Sequence, residues 1–316
     1  MSKLAVIAVG GNSLIKDNKN ISVEEQELAL RETAQHIVDM IEAGWDLAIG
    51  HGNGPQVGFI LRRSEIAAKV EGMHEIPLDV CGADSQGAIG YEFQQALQNE
   101  YQRRGINKSA ATIITQMLVD QKDAAFQKPT KPIGSFMDET EAKRREKEMG
   151  WSVLEDAGRG WRRVVPSPMP KKILELESVK LLLNAGVTVI TVGGGGIPVI
   201  DTGNCQYEGT AAVIDKDFAS SLLAQEIGAE MFLIATVVEK VAINFGKPNQ
   251  QWLDKMTLAE AKQYLAEGIH FAKGSMAPKI QAIVWFLENG GQQALITNPE
   301  NIGRALKGET GTWIVK

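Results

Sequence analysis

Cysteine is scarce: the chain has two, Cys81 and Cys205, far apart and without metal-ligand spacing. That excludes a disulfide framework and a zinc site, and reads as two reduced thiols of a cytoplasmic protein. There is no basic excess. Lys and Arg number 33 against 39 Asp and Glu, for a net charge of −6, so neither a nucleic acid nor an anionic membrane is expected as a partner held by bulk charge. No stretch approaches the roughly 20 apolar residues of a transmembrane helix. "MSKLAVIAVGGN" passes from one lysine into glycines without the apolar region or cleavage pattern of a signal peptide. The usual nucleotide loops are missing too. No G-x-G-x-x-G follows a strand-like run, and Lys247 in "FGKPNQ" is followed by proline, so no P-loop is formed. Neither a Ser/His/Asp order nor an H-E-x-x-H helix stands out.

What the chain does have is alternation. "KLAVIAV" (3–9) is a continuous apolar run ending in Gly10-Gly11-Asn12, as a central parallel strand emptying into a loop should. A helical period follows over 23–43, and "DLAIGHGNGPQVG" repeats strand, glycine turn and helix entry. A long helix is expected over 85–104, a strand over 109–120, and helix, Gly186 stop and strand over 179–196. A buried strand is expected over 230–238, then helix, turn and strand over 282–298. This is an α/β chain: a mostly parallel open sheet with helices on both faces, in three layers, α/β/α. Residues 121–166 break the rhythm with prolines, glycines and dense charge, and are expected to form an inserted, protruding lid. Within it, 138–148 reads as a solvated helix.

In open parallel sheets ligands bind at the carboxyl ends of the strands. Three glycine-rich loops fall there: Gly10, Gly11 and Asn12; Gly52, Asn53 and Gly54; and Gly193, Gly194, Gly195 and Gly196. Bare backbone lets N–H groups approach an anion closely. Each loop alone also fits a tight turn. Lysines supply counter-charge. Lys279 enters a helix in its first turn, against the dipole preference, which makes sense beside an anion. Lys216 lies between Asp215 and Asp217, where ion pairing or capping is the plainer reading. Lys128 and Lys131 lie on the lid. His51 is read as a loop residue bonding backbone rather than as a general base.

Taken together, "VGGNSL" (9–14), "GHGNGPQVG" (50–58), "LDVCGADSQGAIGY" (78–91), "KPTKPIG" (128–134), "EDAGRGWRRVVPSPMP" (155–170), "VGGGGIPV" (192–199), "AVIDKDFAS" (212–220), "NFGKPNQ" (244–250) and "GSMAPK" (274–279) resemble the carbamate kinases, within the amino-acid-kinase fold. The resemblance spans the chain. It implies one amino-acid-kinase domain over 1–316, with the lid at 121–166 and roughly 205–316 on the nucleotide side. It implies reversible phosphoryl transfer between carbamoyl phosphate and ADP, giving ATP and carbamate, with Mg²⁺ held mainly by nucleotide phosphates, and a homodimer. By the same resemblance, Lys216 and Lys279 would neutralise the moving phosphoryl group, with Asp217 orienting them, and Lys131 would reach down from the lid. Gly10, Gly11 and Asn12 would hug the phosphoryl group beside Gly52–Gly54. Gly193–Gly196 would face carbamate. Thr236, Val238, Ala242, Gly274, Ser275 and Met276 would lie near the adenine. Asp84, Met137, Glu239 and Lys273 depart from the family pattern. Asp84 raises the alternative of a related kinase for another small carboxylate, beside that of a weakly catalytic nucleotide-binding homologue.

Overall fold

Lys3–Val9 alternates its apolar side chains between two cores, Val6 and Ala8 into one and Ala5, Ile7 and Val9 into the other. That is why the run shows no polar beat. A computed structural model of the chain describes residues 3–10, 22–155, 160–272 and 274–316. The first part runs β1 (Lys3–Val9), α1 (Val23–Glu42), β2 (Trp45–His51), α2 (Gly54–Glu71), α3 (Leu78–Arg104), β3 (Ala110–Thr112) and β4 (Gln116–Val119). The insertion contributes β5 (Lys131–Met137), α4 (Glu139–Met149), β6 (Ser152–Glu155) and β7 (Trp161–Val165). Next come β8 (Pro170–Ile173), α5 (Leu176–Asn184), β9 (Thr188–Ile190), β10 (Ile197–Gly203), β11 (Gln206–Gly209), α6 (Lys216–Glu226) and β12 (Met231–Ala235). The last part is β13 (Val241–Ile243), β14 (Gln251–Leu253), β15 (Lys255–Thr257), α7 (Leu258–Glu267), α8 (Met276–Glu288), β16 (Gln293–Thr297), α9 (Ile302–Leu306) and β17 (Thr312–Val315).

The main sheet has the order β15-β17-β16-β12-β1-β2-β9-β3 and is parallel except between β16 and β17. Residues of α1, α3 and α9 fill the core on one face, and those of α5, α6, α7 and α8 the other. The three layers expected from alternation are therefore present. Strands β11, β10, β4 and β8 form a second, smaller sheet.

Three expectations need correction. Residues 109–120 form two strands in two sheets, not one. The break falls at Thr115, whose backbone N–H and C=O are both held by the buried Gln86 amide, at 2.8 and 3.1 Å. A side chain there takes the Thr115 N–H and shares its C=O with Ile197 N–H, and hydrophobic periodicity carries no trace of it. Strand β12 ends at Ala235 rather than at 238, and Val237 is exposed. The helix expected from 85 begins at Leu78.

The insertion has order of its own: a three-stranded antiparallel sheet, β5-β7-β6, flanked by α4. It docks on α2 through Ile133 and Val165, which pack with Val57, and through two further contacts. A Cβ on Gly58 would lie 2.2 Å from Gly134 Cα, so the two backbones meet where no side chain fits. Beside them the Arg145 and Arg163 guanidiniums lie 4.7 and 4.5 Å from the Trp151 ring, and Glu65 of α2 stands 3.9 Å from each. The charge run is a helix as expected, but Arg145 within it is buried.

Candidate active site

The parallel strands deliver their C-terminal ends to one edge. Gly10 N–H donates to Ala235 O and Gly52 N–H to Val9 O, each at 3.0 Å, which ties the exits of β12, β1 and β2 side by side. Thr191 N–H donates to Ile49 O at 2.9 Å and brings the exit of β9 to the same place. Gly11 and Asn12 lie outside the described residues, as does Lys273.

Asn53 stands at the N-terminus of α2, with Gly54 as its first residue; the Asn53 amide donates to Ser85 Oγ at 2.8 Å and makes no cap bond. The glycine run follows β9. A Cβ on Gly193 would lie 2.3 Å from His51 Nε2, one on Gly194 2.2 Å from Asn53 Nδ2, one on Gly195 2.3 Å from Ile214 O, and one on Gly196 2.9 Å from Met117 Cβ. All four are buried. Their first role is therefore close packing between β2, β4 and the entry to α6. Val192, just before them, is held left-handed at φ 47°, a conformation costly to a β-branched residue. Its N–H donates to Thr115 Oγ1 at 3.1 Å.

His51 is buried, and its Nδ1–H donates to Gly52 O at 3.1 Å. Burial pushes its pKa down to about 4. It is a neutral structural histidine, as the sequence suggested.

The lysines converge. Lys216 opens α6, Lys279 lies in the first turn of α8, and Lys131 opens β5. Asp217 joins the first two: Lys279 Nζ donates to its Oδ2 at 2.8 Å, and Lys216 Nζ donates to Oδ1. Burial alone would raise the Asp217 carboxyl, but the two ammonium groups outweigh it and hold the pKa below its ordinary value. Burial lowers Lys216; Lys279, also buried, is raised because Asp217 prevails. Lys131 Nζ donates to Asp215 Oδ2 at 2.7 Å. Asp215 Oδ1 meanwhile accepts Asp217 N–H at 2.9 Å and caps α6. Three ammonium groups thus face two carboxylates, an arrangement with positive charge left over for an anion. The sequence reading missed Asp215 as a site residue, although its alternate spacing with Asp217 at a helix start was a usable signal.

The remaining predicted residues lie further along the same edge. Thr236 is buried at the exit of β12 and its N–H donates to Thr297 O at 2.8 Å. Val238 is half-buried, and Ala242 lies within β13. Ser275 precedes α8, which begins at Met276, and Gly274 is exposed. Glu239 accepts from Thr310 Oγ1 and pairs with Arg304, a tie between loops. Asp84 is exposed on α3, next to the buried Ser85.

Known proteins are similar to this chain. The amino acid kinase family matches residues 3–298. The carbamate kinase-like protein YahI of Escherichia coli is 50% identical, with all of both chains covered. The carbamate kinase of Thermococcus kodakarensis is 49% identical over 99% of each chain. The structure of a Giardia lamblia carbamate kinase bound to AMP-PNP superposes with a TM-score of 0.91 at 41% identity, covering 100% of this chain and 99% of that one. The chain belongs to the amino acid kinase family and, within it, to the carbamate kinases.

Proposed function

We propose that the protein is an ATP-dependent phosphotransferase that moves a phosphoryl group reversibly between carbamoyl phosphate and ADP. The observation that carries this reading is the convergence of Lys131, Lys216 and Lys279 on Asp215 and Asp217 at the carboxyl edge of the sheet. In the forward direction the bond from phosphorus to the carbamate oxygen breaks and a bond to the ADP β-phosphate oxygen forms. Carbamate and ATP leave with no proton gained or lost. No general base is needed, which agrees with a His51 engaged in packing. Such a reaction asks the protein for positioning and charge stabilisation. Lys216 and Lys279 would neutralise the moving group, held in place by Asp217, while Lys131 would meet carbamoyl phosphate from the lid.

Gly10, Gly11, Asn12, Gly52, Asn53 and Gly54 would offer backbone to the phosphoryl group. Gly193–Gly196 would shape the carbamate side, and Thr236–Ala242 with Gly274–Met276 the nucleotide side. Mg²⁺ would ride on the nucleotide phosphates and add positive charge there. The Asp217 oxygens are already engaged by lysines, so that carboxylate serves the ammonium groups. The homodimer and the cytoplasmic location belong to the same proposal. Light scattering should give twice the 34.3 kDa of the chain. The decisive assay follows ATP formed from ADP and carbamoyl phosphate; bound ADP with no turnover would refute the reading. A substrate panel on Asp84→Met separates the related-kinase alternative, since unchanged preference would dismiss it.

A further inference from the structure

We propose that Asp215 is a resident stand-in for the anionic substrate: its carboxylate holds Lys131 until carbamoyl phosphate arrives and takes the ammonium over. This rests on the proposed function, in which Lys131 meets the carbamoyl phosphate.

The two aspartates of the cluster are built differently. Asp217 is engaged on both oxygens by Lys216 and Lys279, whose side chains are only 12% and 14% exposed. Asp215 divides its oxygens: one accepts the α6 backbone, the other the lid lysine. The Lys131–Asp215 pair is the more open one, at 31% and 23% exposure. Exchange of partners there leaves neither group without one. Lys131 trades one anion for another. Asp215, on losing Lys131, keeps the Asp217 N–H, the positive end of α6 and the field of Lys216. Burial and the neighbouring Asp217 carboxylate press the Asp215 carboxyl upward, and Lys131 and Lys216 outweigh them.

The same pair fastens the lid to α6, because Lys131 opens β5 and its backbone is locked opposite Val165 of β7. Handing Lys131 to the substrate releases that fastening, while the lid keeps its contacts with α2 and the Val213 N–H bond to Pro166 O at 2.9 Å. Asp217 therefore keeps its lysines oriented, while Asp215 gives its lysine up.

Asp215→Asn tests this, because asparagine still caps a helix but lacks the charge. The probe is phosphonoacetamide, in which a CH₂ replaces the bridging oxygen of carbamoyl phosphate, titrated without nucleotide. Asp215→Asn should tighten its binding by about two- to fivefold, the range that a partly exposed ion pair supports. KM for carbamoyl phosphate should fall by the same factor. Asp215→Ser, a second capping residue, should do the same if the first variant folds poorly. In a Lys131→Met background neither substitution should have any effect. Weaker binding in the variants, or equal tightening without Lys131, overturns the proposal. A chain inactive on carbamoyl phosphate would refute the proposed function, whereas the titration, which needs no turnover, still decides the role of Asp215.

Discussion

At the scale of single residues, charge placement decides what the site does. Lys216 and Lys279 share one buried carboxylate, so removing either leaves Asp217 half-paired as well as removing charge from the phosphoryl path. Lys279→Ala should raise the barrier by about 2.7–4 kcal/mol, as loss of one preorganised donor does elsewhere. The check is kcat in the coupled assay, with ADP affinity measured beside it. His51 gives a prediction about stability. Its pKa falls from 6.5 unfolded to about 4 folded. The unfolded chain therefore binds more protons between those values, and stability rises with pH there. The contribution is complete above pH 6.5 and disappears as pH falls toward 4, about 3 kcal/mol in all at 1.36 per unit. Thermal melts of His51→Gln should lose most of that slope; an unchanged slope would show that other groups carry it. The depressed carboxyls of Asp215 and Asp217 act in a separate window, below their ordinary 3.8. Lys279 stood out from sequence as a lysine near glycine at a helix start, whereas Lys131 and Lys216 received their roles through the resemblance. Asp215 was not named, since a carboxylate at a helix start is most simply a cap, and here it is a cap and a lysine partner together.

Elements raise a different question, which is how the lid finds its place. Gly58 lies inside α2, where alanine would ordinarily stabilise the helix by about 1 kcal/mol. Here the added methyl would meet Gly134 Cα at 2.2 Å, backbone that cannot rotate away. Gly58→Ala should therefore lower the melting temperature and raise KM for carbamoyl phosphate, while ADP affinity stays as it was. A stabilised protein with unchanged KM would mean that the lid docks elsewhere. Sequence showed that 121–166 departs from the strand–helix rhythm, but not that it builds its own sheet, because its strands are short and rich in charge. The glycine run after β9 was legible as unusual. Its cause was not, since the groups that exclude a Cβ there come from 51, 53, 117 and 214.

For the molecule as a whole, the nucleotide should act as a stabiliser. A ligand that binds only the folded chain at 100 times its Kd adds about 2.7 kcal/mol. ADP should raise the melting temperature accordingly, and Lys279→Ala should keep most of that shift if its loss is confined to the transferred group. No shift with ADP in the unmodified protein would argue against a nucleotide site at this edge. The architecture itself was readable, because short apolar runs without a polar beat, alternating with helical periods, read as strands covered on both faces, and glycine marks where several of them end. Local pattern thus determined most elements of the main sheet, the layers and the edge at which binding belongs. What it could not determine were contacts between residues distant along the chain: Gln86 holding Thr115, Gly58 against Gly134, and Lys131 reaching 84 positions to Asp215. Those depend on which surfaces meet once the sheet is closed on both faces, and only the folded chain brings them within hydrogen-bonding distance.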